Sequence, residues 1–123
     1  VNGILEKKGE PSITEGIGIM RLVNNFKQAK LDGAITLPDQ DIVTISRYVR
    51  DQDGIVLGLS AALNVAGALY LAARNRGSRI ITFHCDLGER SYSKLYNPHF
   101  LESKGLSLDL SINDLISSYT NTK

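Results

Sequence analysis

Apolar and polar positions alternate along this chain with two different periods. Ile42, Ile45, Ser46 and Val49 recur at helical spacing within "PDQDIVTISRYVRDQDG", with Tyr48 beside them. The pattern predicts a helix that Asp39 caps with its carboxylate and Gly54 ends through a positive φ. A second helix is predicted over "SAALNVAGALYLAARNRG", with Leu63, Ala66, Leu69 and Ala73 on one face, Ser60 as cap and Gly77 as terminator. Shorter helices are expected at "PHFLESKG" (98–105) and "INDLISSYT". Between them lie short runs suited to strands: "DGAITL" (32–37), the glycine-bounded "IVLG", read as fully buried, and "RIITFHC" (79–85). The order strand, helix, strand, helix, strand predicts an α/β fold, a parallel sheet with flanking helices. In such sheets ligands gather beyond the carboxyl ends of strands. Gly58 to Ser60 and Cys85 to Gly88 fall there, and the loop before Ile19 is a third candidate.

Composition narrows the classes of function. The chain has 123 residues, 14 basic and 13 acidic, a net charge of +1. That balance gives no electrostatic reason to expect nucleic acid as a partner. The longest apolar stretch, near Leu57 to Ala73, is broken by Gly58, Ser60, Asn64 and Gly67, so no membrane-spanning segment of about 20 residues is expected. The one cysteine, Cys85, excludes an internal disulfide. His84 and Cys85, neighbours on an expected strand, point to opposite faces and cannot share a metal. A core cysteine is the expectation. The chain starts at Val1, without an initiator Met or a signal peptide, and reads as part of something longer or processed.

Candidate chemistry concentrates where side chains are smallest. In "GLSAALNVAGA" (58–68) a single hydroxyl, Ser60, stands among Gly58, Ala61 and Ala62. It reads either as a helix cap or as a neutral hydrogen-bond partner for a flat ligand at a strand end. "GIG" (16–18) is not a dinucleotide fingerprint, because Arg21 stands where the third glycine belongs. "DLGERS" (86–91) reads equally as a surface turn or as the lip of a pocket.

Taken in order, "SITEGIG", "DGAI", "DGIVLGLSAALNVAGA" and "FHCDLGERSYSKLYNPHFLESKG" resemble the C-terminal part of the cysteine synthase (O-acetylserine sulfhydrylase) and cystathionine β-synthase family. The resemblance covers roughly Ser12 to Leu106 and leaves 107–123 as a C-terminal extension. It implies part of a two-domain, tryptophan-synthase-β-like fold that binds pyridoxal 5'-phosphate. It implies an enzyme that exchanges the β-substituent of O-acetylserine for sulfide to give L-cysteine, as a homodimer, in the cytoplasm or mitochondria. Ser60 matches the serine that binds the pyridine nitrogen. Gly16 and Gly18 match a loop beside the cofactor, and Asp86 lies in the segment near the ring. Ala61 and Ala62 stand where the family has Ser and Gly, and Leu87 and Ser91 where it has Ser and Tyr. Nothing here matches the family's cofactor lysine, its asparagine loop or its phosphate-cradling glycine loop, so the chain by itself is expected to be inactive. The alternatives are condensation of serine with homocysteine, as in cystathionine β-synthase, and a non-catalytic relic. "LNV" (63–65) favours the cysteine synthase branch.

Overall fold

A computed structural model describes residues 12–15, 17 and 21–121. Among the described residues there are five helices, α1 (Asn24–Gln28), α2 (Asp39–Asp53), α3 (Leu59–Arg74), α4 (Pro98–Ser103) and α5 (Ile112–Asn121), with a 3-10 turn at Gly88–Ser91. The four expected helices are there; α1, which buries no residue, was not expected. Gly54 ends α2 as foreseen, at φ 69° with its N–H on the Arg50 carbonyl. Helix α3 stops earlier than expected, at Arg74, and Gly77 (φ 83°) shapes the turn beyond it.

Both expected caps are corrected. Pro38 precedes α2, and Asp39 is its first helical residue. The Asp39 carboxylate is taken by the incoming chain: Ser12 Oγ donates to Oδ1 at 2.6 Å and the Ile13 N–H to Oδ2 at 2.7 Å. Gly58, not Ser60, precedes α3.

The core sits where α2, α3 and α5 meet. The first half of α2 is buried all round, Asp41 through Ser46, rather than on one stripe. Ala61, Ala62 and Ala66 of α3 are fully buried, because methyl side chains let this helix approach its neighbours closely. α5 lies beyond the stretch that carries the family resemblance, yet Leu115 and Tyr119 belong to the core. Ser111 caps it, accepting from the Asp114 N–H at 3.2 Å while its hydroxyl donates to the Asp114 carboxylate at 2.7 Å. The Gln40 side chain clasps Ser107 through two 2.8 Å bonds and so fastens α2 to the chain that leads into α5.

The expected parallel ladder is absent among the described residues: 32–37, 55–58 and 79–85 carry no strand pairing with one another. Ile55 is exposed, against the expectation of a fully buried strand. Leu57 and Leu87 form an isolated antiparallel bridge. It is closed by the Gly58 N–H on the Asp86 carbonyl (3.3 Å) and the Gly88 N–H on the Val56 carbonyl (2.8 Å). The Leu57 carbonyl finds its partner in a side chain, the Tyr96 hydroxyl at 2.7 Å. Burial pushes the Tyr96 phenol up.

Candidate functional site

The N-terminal turn of α3 and the segment 82–88 lie against each other. Their closeness depends on two glycines. A methyl at Gly58 would come within 2.0 Å of an Asp86 carboxylate oxygen, and one at Gly88 within 2.2 Å of the Val56 side chain. No residue with a Cβ fits at either position without moving its neighbour.

The Asp86 carboxylate does what neither Gly58 nor Ser60 does. Its Oδ1 accepts from the Ala61 N–H at 3.0 Å, satisfying a free amide of the first turn of α3 and opposing the positive end of the helix dipole. Asp86 thus caps α3 from 25 residues away in sequence. An anion already holds this helix terminus, which closes it to a phosphate.

Ser60, freed from capping, stands half-buried at the mouth of this junction. The Cys85 thiol donates to its oxygen at 3.2 Å. The hydroxyl proton of Ser60 therefore remains available for an acceptor such as a ring nitrogen. Cys85 is exposed and free, which corrects the expectation of a core cysteine. Asn64, one turn along α3, steadies the same segment. Its amide donates to the Phe83 carbonyl at 3.0 Å and approaches the Cys85 sulfur at 3.7 Å, and Thr82 Oγ1 donates back to the Asn64 carbonyl at 3.4 Å.

The structure therefore brings Ser60 and Asp86 together and adds Cys85 and Asn64, which were not singled out as site residues. The signal for Asn64 was in the sequence: a lone amide four residues after Ser60 on an otherwise apolar helix lies on the same face. Gly16 and Gly18 lie outside the described residues. Their flanks are tied down on one side by the Ser12 and Ile13 bonds to Asp39 and by an ion pair between Glu15 and Lys94. Among the described residues no three His, Cys, Asp or Glu side chains are grouped to hold a metal. No helix among them is long and apolar enough to cross a membrane.

Known proteins extend this reading. No family model matches the chain. It is 42% identical over 98 residues to "Cysteine synthase 2" of Schizosaccharomyces pombe, covering 77% of this chain and 25% of that protein. It is 37% identical over 110 residues to "Cysteine synthase" of Dictyostelium discoideum, covering 88% and 29%. To "Cysteine synthase 1" of Neurospora crassa it is 36% identical over 106 residues, covering 84% and 28%. The chain thus spans about a quarter to three tenths of the length of these relatives. Identity at this level over most of the chain, with the glycine–serine turn and the Asp86 segment inside it, places the sequence in the cysteine synthase family.

Proposed function

We propose that this stretch forms the ring-facing side of a pyridoxal-phosphate enzyme that replaces the β-substituent of O-acetylserine with sulfide, and that it is a C-terminal part of such an enzyme. The observation that carries the reading is the Ser60 hydroxyl, which is not spent on capping and accepts from Cys85, so that its proton is left for a ring nitrogen. The small side chains around it suit a flat heterocycle. The cofactor, when bound, supplies an electron-accepting ring that makes loss of an amino acid's β-substituent feasible.

Ser60 would donate to the ring nitrogen as a neutral group. A carboxylate there would hold that nitrogen protonated and deepen the ring's pull on electrons; a hydroxyl does not, and β-replacement is favoured over transamination. Asp86 acts one step back, as a positioning residue: by capping α3 it fixes the turn that presents Ser60. By the family resemblance Gly16 and Gly18 would serve the cofactor side of the site. The segments 32–37, 55–58 and 79–85 would be strands of a sheet completed by the rest of the enzyme, which would also supply the lysine, the phosphate cradle and the dimer contacts.

The test is a chimera in which this stretch replaces the matching stretch of the S. pombe relative. The expected protein is yellow with bound cofactor and forms cysteine from O-acetylserine and sulfide. Ser60→Ala should shift the cofactor absorption band and slow turnover about 10-fold or more, the loss of roughly 1.4 kcal/mol of differential stabilisation. A chimera that folds but stays colourless with added cofactor defeats the proposal. An unchanged spectrum in Ser60→Ala defeats the assignment of Ser60.

A further inference from the structure

The Ser60 hydroxyl is one end of a short chain of polar groups that leaves α3 and returns to it. The Asn64 amide, held on the Phe83 carbonyl at 3.0 Å, lies 3.7 Å from the Cys85 sulfur, and the Cys85 thiol donates to Ser60 Oγ at 3.2 Å. The far end fixes the direction of this chain. An amide nitrogen only donates, so the sulfur accepts on the Asn64 side and its single proton points elsewhere. Two oxygens are within reach of that proton, Ser60 Oγ at 3.2 Å and Asp86 Oδ1 at 3.7 Å. The second is farther away and already accepts from the Ala61 N–H at 3.0 Å. The thiol proton therefore goes to Ser60.

We propose that Cys85 is a positioning residue for the ring site: its thiol, oriented by Asn64, donates to Ser60 and so turns the Ser60 proton outward, to the cofactor ring. The proposal rests on the reading of Ser60 as the ring's partner and adds what sets the direction of that hydroxyl. Among the described residues the thiol is the only polar partner of Ser60 Oγ, so nothing else there orients it. A free hydroxyl turns among three staggered positions. A proton arriving from the sulfur excludes the position in which Ser60 would point back at Cys85. An oxygen that accepts a hydrogen bond is also the stronger donor through its own proton. Cys85 needs no contact with the ring or with any reacting atom to do this. Its requirement is a rotatable proton and a lone pair, which Cys85→Ser keeps and Cys85→Ala removes. Without the thiol the hydroxyl faces the ring in only about one of three positions, which weakens cofactor binding by roughly 2- to 3-fold.

Two measurements test this. The chain has one cysteine, so its S–H stretching band in the infrared reports on Cys85 alone, with no cofactor present. Ser60→Ala should move that band to higher frequency, the mark of a lost acceptor, with the helical circular dichroism unchanged. An unmoved S–H band overturns the proposal. The second measurement uses the chimera with the S. pombe relative. Cys85→Ala should shift the absorption band of the bound cofactor in the same direction as Ser60→Ala but by less, and raise the cofactor Kd about 2- to 3-fold. Cys85→Ser should restore both. In the Ser60→Ala background Cys85→Ala should add no further shift, a non-additivity that a merely structural role does not produce. A cofactor band that responds to Ser60→Ala but not to Cys85→Ala overturns this proposal alone. So does a failure of Cys85→Ser to restore the band, or a full and additive shift in the double variant. A colourless chimera, or one whose band ignores Ser60→Ala, instead defeats the ring reading of Ser60 and takes this proposal with it.

Discussion

The Asp86 carboxylate occupies the space that a side chain on Gly58 would fill: a Cβ there would lie 2.0 Å from one carboxylate oxygen, while the other oxygen accepts from the Ala61 N–H at 3.0 Å. Absence of a side chain at one position is what lets a charged group at the other reach the helix end. The small residues at the start of α3 thus have a structural use whatever ligand the site takes.

Gly58→Ala should therefore destabilise the fold by about 2 kcal/mol, as expected when a methyl is forced into filled space and a cap is dislodged with it. Gly67→Ala provides the contrast. Gly67 lies mid-helix in α3, and a Cβ there meets nothing within 4 Å. That substitution should stabilise by about 0.5–1 kcal/mol through helix propensity. Urea unfolding of the two variants separates these effects; equal shifts in the same direction would contradict the geometry.

Ser60 and Asp86 make opposite predictions for stability. Were Ser60 the cap, its replacement by Ala would cost about 1 kcal/mol. With Asp86 in that role, Ser60→Ala should change stability by less than about 0.5 kcal/mol and Asp86→Ala should lower it by about 1 kcal/mol. In the Gly58→Ala background the Asp86→Ala loss should largely vanish, because the two residues share one space. A full and additive Asp86→Ala effect in the double variant would count against the shared contact.

Helices α2 and α3 were legible in the sequence because their apolar residues repeat at the helical period; Gly54 marks where α2 stops, whereas α3 ends at Arg74, ahead of the turn at Gly77. Their caps were not legible. Asp39 and Ser60 are the residue types that cap locally, but Asp39 is claimed by Ser12 and Ile13, and α3 is capped by Asp86 from another segment. Sequence spacing reports local bonds and is silent on distant ones. Candidate strands were legible as β-branched runs such as Ile80 to Thr82, which favour extended chain. Their pairing was not, because a strand's partners are set by the whole sheet. The site divides in the same way. Ser60 stood out as a lone hydroxyl among small residues, whereas the thiol aimed at it from Cys85 could be found only in three dimensions.

Asn64 holds the 82–85 segment to α3 by its amide on the Phe83 carbonyl. Asn64→Leu keeps the bulk and removes the donor. The segment should then loosen locally, with amide exchange at 82–85 faster by several-fold and global stability lowered by only about 0.5–1.5 kcal/mol, the usual worth of one hydrogen bond. The Cys85 thiol, released from the same neighbour, should react faster with a disulfide reagent. Unaltered exchange at 82–85 would show that the segment is held by something other than Asn64.

The buried pair Asp41 and Tyr119 joins α2 to α5, with the Tyr119 hydroxyl donating to the Asp41 carboxylate at 2.6 Å. The Tyr119 ring also meets Tyr70 of α3 edge-on, with centroids 5.3 Å apart. Burial raises the Asp41 pKa above 3.8, and the bond from Tyr119 pulls it back down. Burial and the neighbouring carboxylate push the Tyr119 phenol far up, so it stays protonated at any ordinary pH. Because the folded Asp41 holds its proton more tightly than the unfolded one, its ionisation works against folding. Its contribution to stability therefore improves as pH falls from above the raised value towards 3.8. Tyr119→Phe keeps the ring but takes away the donor, leaving the charged carboxylate buried without its partner. The loss at neutral pH should be about 1–3 kcal/mol. It should shrink as pH falls, because losing the donor raises the carboxyl of the variant further and the neutral form has less need of that partner. Chemical denaturation at several pH values measures this directly. A Tyr119→Phe penalty that stays constant or grows on acidification would mean that Asp41 is not the group the phenol serves.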